Sequence, residues 1–315
     1  MYHRIADDPV DYWGLAVSPI NFGEHLDVLR RTRHPLPLDD FVRDLKAGSL
    51  PANAVALTFD DGYIDNLVAG KPRLAVADVP ATVYLTTGFV DGVGGFWWDE
   101  LARRILLEGG PPSFELTVRG EAMRFNIGRT ALFRKNASLE GDSSEKRKAA
   151  ITAIWRIIRR LDDAERKLVM DQVRSIFSGP NYHAWSDRVM TGAEVRELVA
   201  GGLVTLGAHT ITHPTLSGLS VDACNREIVE SKLACEELIG RPVRSFAYPY
   251  GDFDSSAREA VKTAGFTCAC STWRGPAFAT SDVFALPRIQ VHNWNGDTFE
   301  RALRSASAIN EVQSS

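Results

Sequence analysis

The sequence predicts an α/β protein: a parallel sheet or barrel with helices outside, interrupted by a largely helical insertion over about residues 91–190. Three observations point there. Short apolar runs of strand length alternate with amphipathic stretches in both the first ninety and the last hundred and twenty-five or so residues. That rhythm breaks between them. The residues with chemistry to offer fall at the ends of predicted strands, where a parallel barrel gathers its active site.

Taken in order, Met1 to Ile5 reads as a short strand carrying a Tyr-His pair. Ser18-Pro19 introduces a helix from about Ile20 to Arg31, with Phe22, Leu26 and Leu29 on one face. Leu38 to Leu45 reads as a second short helix, Ala54 to Phe59 as a buried strand, Leu67 to Ala77 as a helix and Ala81 to Leu85 as a buried strand. In the insertion, Ser113 to Val118 and Ala122 to Ile127 alternate around Arg119-Gly120-Glu121, the pattern of a hairpin. Ser144 to Leu161 and Asp163 to Phe177 read as amphipathic helices. Phe96-Trp97-Trp98 reads as an anchor of the insertion, with a sugar-stacking platform as the alternative. Lys146, Arg147, Lys148, Arg156, Arg159 and Arg160 read as a solvated helix side, with acidic-substrate binding as the alternative.

The alternation then resumes. Thr191 with Glu194 is a capping box opening a helix to about Ala200. Val204 to Ala208 is a strand, Ser220 to Ile239 a long helix, and Val243 to Tyr248 a strand ending in Pro249-Tyr250-Gly251. Ser255 to Ala264 is a helix, Phe266 to Ser271 and Phe284 to Val291 are strands, and a helix from Asp297 to about Ser307 closes the chain.

Composition narrows the function. At 315 residues with 44% apolar content, the chain can build one large domain, or a domain with an insertion, around a real core. A net charge of −4 points to neither nucleic acid nor an anionic membrane surface, and no apolar run reaches bilayer-spanning length. Met1-Tyr2-His3-Arg4 begins no signal peptide as written, and Cys224, Cys235, Cys268 and Cys270 form no zinc-type pair of pairs. Free thiols in a reducing compartment, hence a cytoplasmic location, are expected, although the abrupt opening on a strand allows for missing upstream sequence. Oligomeric state is not indicated.

The chemical parts are three. Asp60-Asp61-Gly62 ends a buried strand; alone it is a surface turn. His209-Thr210-Ile211-Thr212-His213 also follows an apolar strand. Its β-branched residues and Pro214 argue for a strand end entering a turn rather than a helix. Two imidazoles and a carboxylate are a common catalytic metal set, and the second, adjacent carboxylate is then free to act as general base. Third, Pro and Gly around Tyr250 fix a turn at a strand end that can present its backbone N–H to a developing oxyanion; alone it is only a turn signal.

With these residues in hand, Thr58-Phe59-Asp60-Asp61-Gly62, His209 to His213 and Phe246-Ala-Tyr-Pro-Tyr-Gly251 resemble the motifs of the polysaccharide deacetylases of carbohydrate esterase family 4, over roughly Ala54 to Val291 apart from the insertion. The resemblance implies a deformed (β/α) barrel of about seven parallel strands, and a single catalytic domain over residues 1–315. It implies one divalent metal, zinc foremost with cobalt, nickel or manganese as alternatives. Asp61, His209 and His213 would be its ligands, Asp60 the general base and Tyr250 the oxyanion donor. The expected partner is an N-acetylated glycan, with another acyl group or a catalytically weak carbohydrate-binding protein as alternatives. Two departures stand out. The Arg that usually opens the third motif is replaced by Ala247, and Arg288 either substitutes for it or is a surface residue. The general acid is His3, in a Tyr-His resembling the branch with biofilm poly-N-acetylglucosamine deacetylases, or else His292 after the last strand. His3 is preferred.

Overall fold

The computed structural model describes residues 1–92, 95–107, 110–128, 142–178 and 188–312. The chain forms two compact units, Met1–Val93 with Val189–Ser315, and Gly94–Arg188. Parts of the predicted 91–190 insertion therefore lie outside the described residues.

In the first unit, β1 (Arg4–Ile5) pairs in parallel with β2 (Ala16–Val17), and α1 (Pro19–Thr32) follows, capped by the Ser18 hydroxyl. β3 (His34–Pro35), α2 (Leu38–Ala47) and β4 (Ala54–Val55) come next. The predicted strand over residues 54–59 is in fact two: β4 pairs with β3, and only β5 (Leu57–Phe59) enters the main sheet. The helix expected from Leu67 opens as a π-turn, Asn66–Gly70, before α3 (Lys71–Ala77). β6 (Ala81–Leu85) is buried throughout.

The second unit holds α4 (Trp97–Leu107), the hairpin β7 (Ser113–Val118) and β8 (Glu121–Asn126), α5 (Asp142–Ile158) and α6 (Asp163–Ile176). Helix α4 was not anticipated, because its start coincides with the aromatic cluster. Phe96, Trp97 and Trp98 are buried, with Phe96 stacked on Trp98 at 4.2 Å, so they do not form an open sugar platform. Arg147 corrects the reading of a wholly solvated basic face: it is buried and donates to the Ile105 carbonyl.

Back in the first unit come α7 (Gly192–Val199), β9 (Val204–Ala208), α8 (Val221–Ile239), β10 (Ser245–Ala247), α9 (Ser255–Thr263), β11 (Cys268–Cys270) and α10 (Gly296–Val312). The capping box predicted at Thr191 and Glu194 is formed. The main sheet runs β5-β6-β9-β10-β11, all parallel. Bridges extend it from Phe59 to Tyr2 on one edge and from Cys270 to Leu286 on the other. The Val291 amide then donates to the Met1 carbonyl at 3.0 Å, joining these two outer segments. Seven parallel segments thus curl into a deformed (β/α) barrel. The segment predicted as a strand over residues 284–291 instead begins in a turn, where the Ala285 amide donates to the Asp282 carbonyl, and pairs with β11 through a single bridge at Leu286. Four free cysteines are all buried, and no helix among the described residues is long and apolar enough to cross a membrane.

Candidate active site

Parallel pairing brings the C-terminal ends of β5, β6, β9 and β10 to one end of the barrel. Asp60 and Asp61 follow β5, His209 follows β9, and Tyr250 lies three residues after β10. Each of these strand ends turns through left-handed backbone: Asp61 has φ 76° and Gly62 85°, Thr210 65°, His213 56° and Tyr250 59°. A β-branched Thr at positive φ is a true outlier, and such strain collects where function over-determines the backbone. Gly62 is required on a second count, since a Cβ there would lie 2.5 Å from Leu85 Cδ1. The turn separates the neighbouring carboxylates, so Asp60 meets Arg288 while Asp61 meets the two imidazoles.

Asp61 Oδ1 lies 3.5 Å from His209 Nε2 and 3.4 Å from His213 Nε2. One ligand atom from each of the three buried residues falls within 4.8 Å of the others. His209 Nδ1 sits 2.7 Å from the Ala247 carbonyl, which can only accept, so Nδ1 carries the proton. In the neutral ring, Nε2 then aims a lone pair at Asp61 Oδ1, a buried oxygen with no hydrogen bond. Two buried lone pairs facing each other repel unless a cation lies between them. The pocket favours positive charge, whether a proton on the ring or an ion in its place. Burial pulls the His209 pKa down, but Asp61 and Asp60 outweigh it and raise it; for Asp61, burial is outweighed by the histidines, and its pKa falls. The donor set, two imidazoles and a carboxylate, fits a divalent ion of the zinc type and leaves positions open.

Asp60 is gripped at both oxygens. Arg288 Nη1 donates to Oδ1 and Nη2 to Oδ2, each at 2.7 Å. The same guanidinium donates from Nε to the Ser271 carbonyl at 2.8 Å and from Nη1 to Thr58 Oγ1 at 3.2 Å. Both partners are buried, Asp60 at 3% and Arg288 at 7% exposure. Burial works to raise the Asp60 pKa, yet the Arg288 charge, helped by His209, holds it well below the usual carboxylate range. Ala247 supplies no cation; its carbonyl orients His209, and the guanidinium arrives instead from the segment after β11.

His3 reaches the same end. Tyr2 N–H donates to the Thr58 carbonyl and Asp60 N–H to the Tyr2 carbonyl, which sets His3 alongside the aspartates. Burial lowers the His3 pKa, and Asp61 and Asp60 pull against it. His292 is exposed; its Nδ1 is 3.4 Å from the Gly14 carbonyl and its ring packs on Trp294. The structure therefore brings His3, not His292, into the cluster. Tyr250 crowns the 3-10 turn Pro249–Gly251, its ring edge-on to His213 at 4.6 Å.

Three supporting residues were not anticipated. Asp65 takes the Ile5 amide and the Arg4 guanidinium, and Asn66 donates to the His3 carbonyl at 2.7 Å; together they anchor the His3 segment. Glu227 of α8 binds the loop between the histidines. A polar pair after Tyr63-Ile64 was a faint signal for Asp65 and Asn66; a Glu on an amphipathic helix gave none.

The fold and site define an α/β barrel with an Asp-His-His metal-type centre at its C-terminal end. A family model described as polysaccharide deacetylase matches residues 177–269 of the chain. The putative polysaccharide deacetylase YxkH of Bacillus subtilis (strain 168) is 24% identical over 102 residues, covering 32% of this chain and 36% of that protein. The match thus spans about a third of that relative's length. Among solved structures, the deacetylase PplD of Streptococcus pyogenes, in complex with acetate, superposes with a TM-score of 0.61 at 17% identity over 96% of both chains. IcaB from Ammonifex degensii gives 0.59 at 18% identity, over 97% of this chain and 94% of that one. Identities this low establish a shared fold.

Proposed function

We propose that this protein is a metal-dependent hydrolase that removes N-acetyl groups from an amino sugar in a polysaccharide or glycan precursor, with the whole chain as one catalytic domain. The observation that carries this reading is the buried Asp61 oxygen facing the His209 lone pair, with a second, separately held carboxylate one residue away. Asp61, His209 and His213 are the residues that would hold the ion, zinc foremost. When bound, it polarises the acyl oxygen and makes a water easier to deprotonate.

The residues then divide the work. Asp60 takes the proton of the attacking water as its oxygen bonds to the acyl carbon. Its paired guanidinium keeps it ionised and fixes its direction, at some cost in basicity. The Tyr250 amide donates to the oxyanion that forms. His3 passes a proton to the amine nitrogen as the C–N bond breaks; its lowered pKa makes the charged ring a readier donor. Acetate and a free amino sugar leave. The Trp273 side chain is 57% exposed, and its backbone carbonyl accepts the Arg288 amide at 2.8 Å, so its segment adjoins the one that carries Arg288.

The test is release of acetate and free amine from N-acetylglucosamine oligomers by metal-loaded protein, beside O-acetyl ester and N-formyl substrates. Equal amounts of both products are expected from the oligomers, with a loss of about 10² or more in Asp60→Asn. Folded Asp60→Asn and His209→Ala variants that kept full activity would sink the mechanism. Release of acid from esters alone would move the activity to another acyl group.

A further inference from the structure

We infer that Glu227, on α8, is the residue that holds the His209–His213 loop in its ligand geometry and thereby sets how tightly this chain binds its metal. The inference rests on the proposed metal site. Its own ground is the bonding of the loop. Glu227 Oε2 accepts the Ile211 amide at 2.7 Å and the Thr212 amide at 3.0 Å, and Oε1 accepts the Thr212 hydroxyl at 2.7 Å. One carboxylate thus takes two successive backbone N–H groups and a hydroxyl between the two histidines. These are charge-assisted bonds, stronger than neutral ones.

The loop needs such a hold. Thr210 and His213 both sit at positive φ, which the β-branched Thr210 adopts only under constraint. Two other supports come from beyond β6: Thr87 N–H donates to the Thr210 carbonyl at 3.1 Å and Gly88 N–H to the Ile211 carbonyl at 2.9 Å. They fix the carbonyl side of the loop; Glu227 fixes the amide side. The helix that offers Glu227 is a firm base, 19 residues long, N-capped by Ser220 and ended by left-handed Gly240. Its Cys224, Ile228 and Cys235 are buried. Glu227 bonds the loop between the two histidines, so it is a positioning residue.

The experiment is metal affinity, measured by competition between purified full-length protein and a chromophoric chelator for zinc, and by the visible spectrum with cobalt. Wild type, Glu227→Gln, Glu227→Ala and the exposed Glu230→Gln on the same helix are compared. One tightly bound ion is expected in wild type, with affinity weakened about 10-fold in Glu227→Gln and up to about 100-fold in Glu227→Ala, the range for groups that orient ligands. Glu230→Gln should match wild type. The cobalt spectrum of Glu227→Ala should shift in band position or intensity, and its activity should recover as zinc is raised. Wild-type affinity and an unchanged cobalt spectrum in Glu227→Ala would overturn the inference while leaving the metal site standing. No stoichiometric ion in wild type would instead overturn the metal reading. An equal fall in the thermal stability of chelated Glu227→Ala, with metal affinity intact, would assign Glu227 a purely structural role.

Discussion

Replacing Arg288 with Met keeps the bulk of the side chain and deletes the charge, which isolates the ion pair with Asp60. Two N–H···O bonds of 2.7 Å join groups that are each less than a tenth exposed. At an effective dielectric near 20, charges about 4 Å apart attract by about 4 kcal/mol. Desolvation offsets much of that in the intact pair, but the variant leaves Asp60 buried and uncompensated, so a loss of about 3–5 kcal/mol is expected. The pH dependence gives a second signature. In the wild type the Asp60 pKa is depressed, so its stabilisation is present above the unfolded carboxylate value of about 3.9 and is lost only as pH falls through the lower folded value. In Arg288→Met, burial dominates and the pKa rises. The carboxyl is then tolerated when neutral, and stability falls as pH climbs through the raised value. The penalty should therefore be largest near neutrality and shrink towards pH 4. Urea unfolding of chelated protein at a series of pH values measures it, with Asp60→Asn and the double variant closing a cycle. A penalty below about 1 kcal/mol, independent of pH and undiminished by Asp60→Asn, would refute the reasoning.

Other consequences follow from the same geometry. His3→Gln should lower kcat by about 10²–10⁴ with little change in KM, whereas His292→Gln should stay within about twofold; comparable effects at both positions would reopen the identity of the acid. His25 is buried, its Nδ1 3.3 Å from the Tyr2 hydroxyl and its Nε2 2.7 Å from the Trp294 carbonyl, and burial lowers its pKa to about 4. Because the unfolded ring takes its proton near pH 6.5, the wild type should lose about 2 kcal/mol more stability than His25→Phe between pH 7.5 and pH 5; parallel pH profiles in urea unfolding would contradict this. Gly251→Ala should destabilise by more than about 2 kcal/mol and impair activity, because φ is 67° and the added Cβ would fall 2.0 Å from Thr272 Oγ1; an unchanged Tm would count against the strained turn.

Much of the barrel is legible in the chain because its strands are short apolar runs punctuated by chemistry. The aspartate and histidine motifs end strands in the structure as their β-branched and Gly neighbours suggest. The rest depends on tertiary partners. Residues 54–59 are one apolar run, and only the pairing of Ala54 and Val55 with His34 and Pro35 divides it. Trp97 and Trp98 look like an isolated aromatic cluster until burial shows that they begin α4. Arg288 lies 228 residues from Asp60, so no local pattern distinguishes it from a surface Arg. Choosing between His3 and His292 requires knowing that Tyr2 pairs beside Phe59. Glu227 was hidden because its partners are backbone amides.

The most direct test of the account is acetate release from N-acetylglucosamine oligomers by chelated protein, before and after zinc is restored, with Asp61→Ala beside wild type. The account predicts no release without metal, recovery with about one zinc per chain, and no recovery in folded Asp61→Ala. Undiminished release from metal-free wild type, or full recovery in Asp61→Ala, would contradict it.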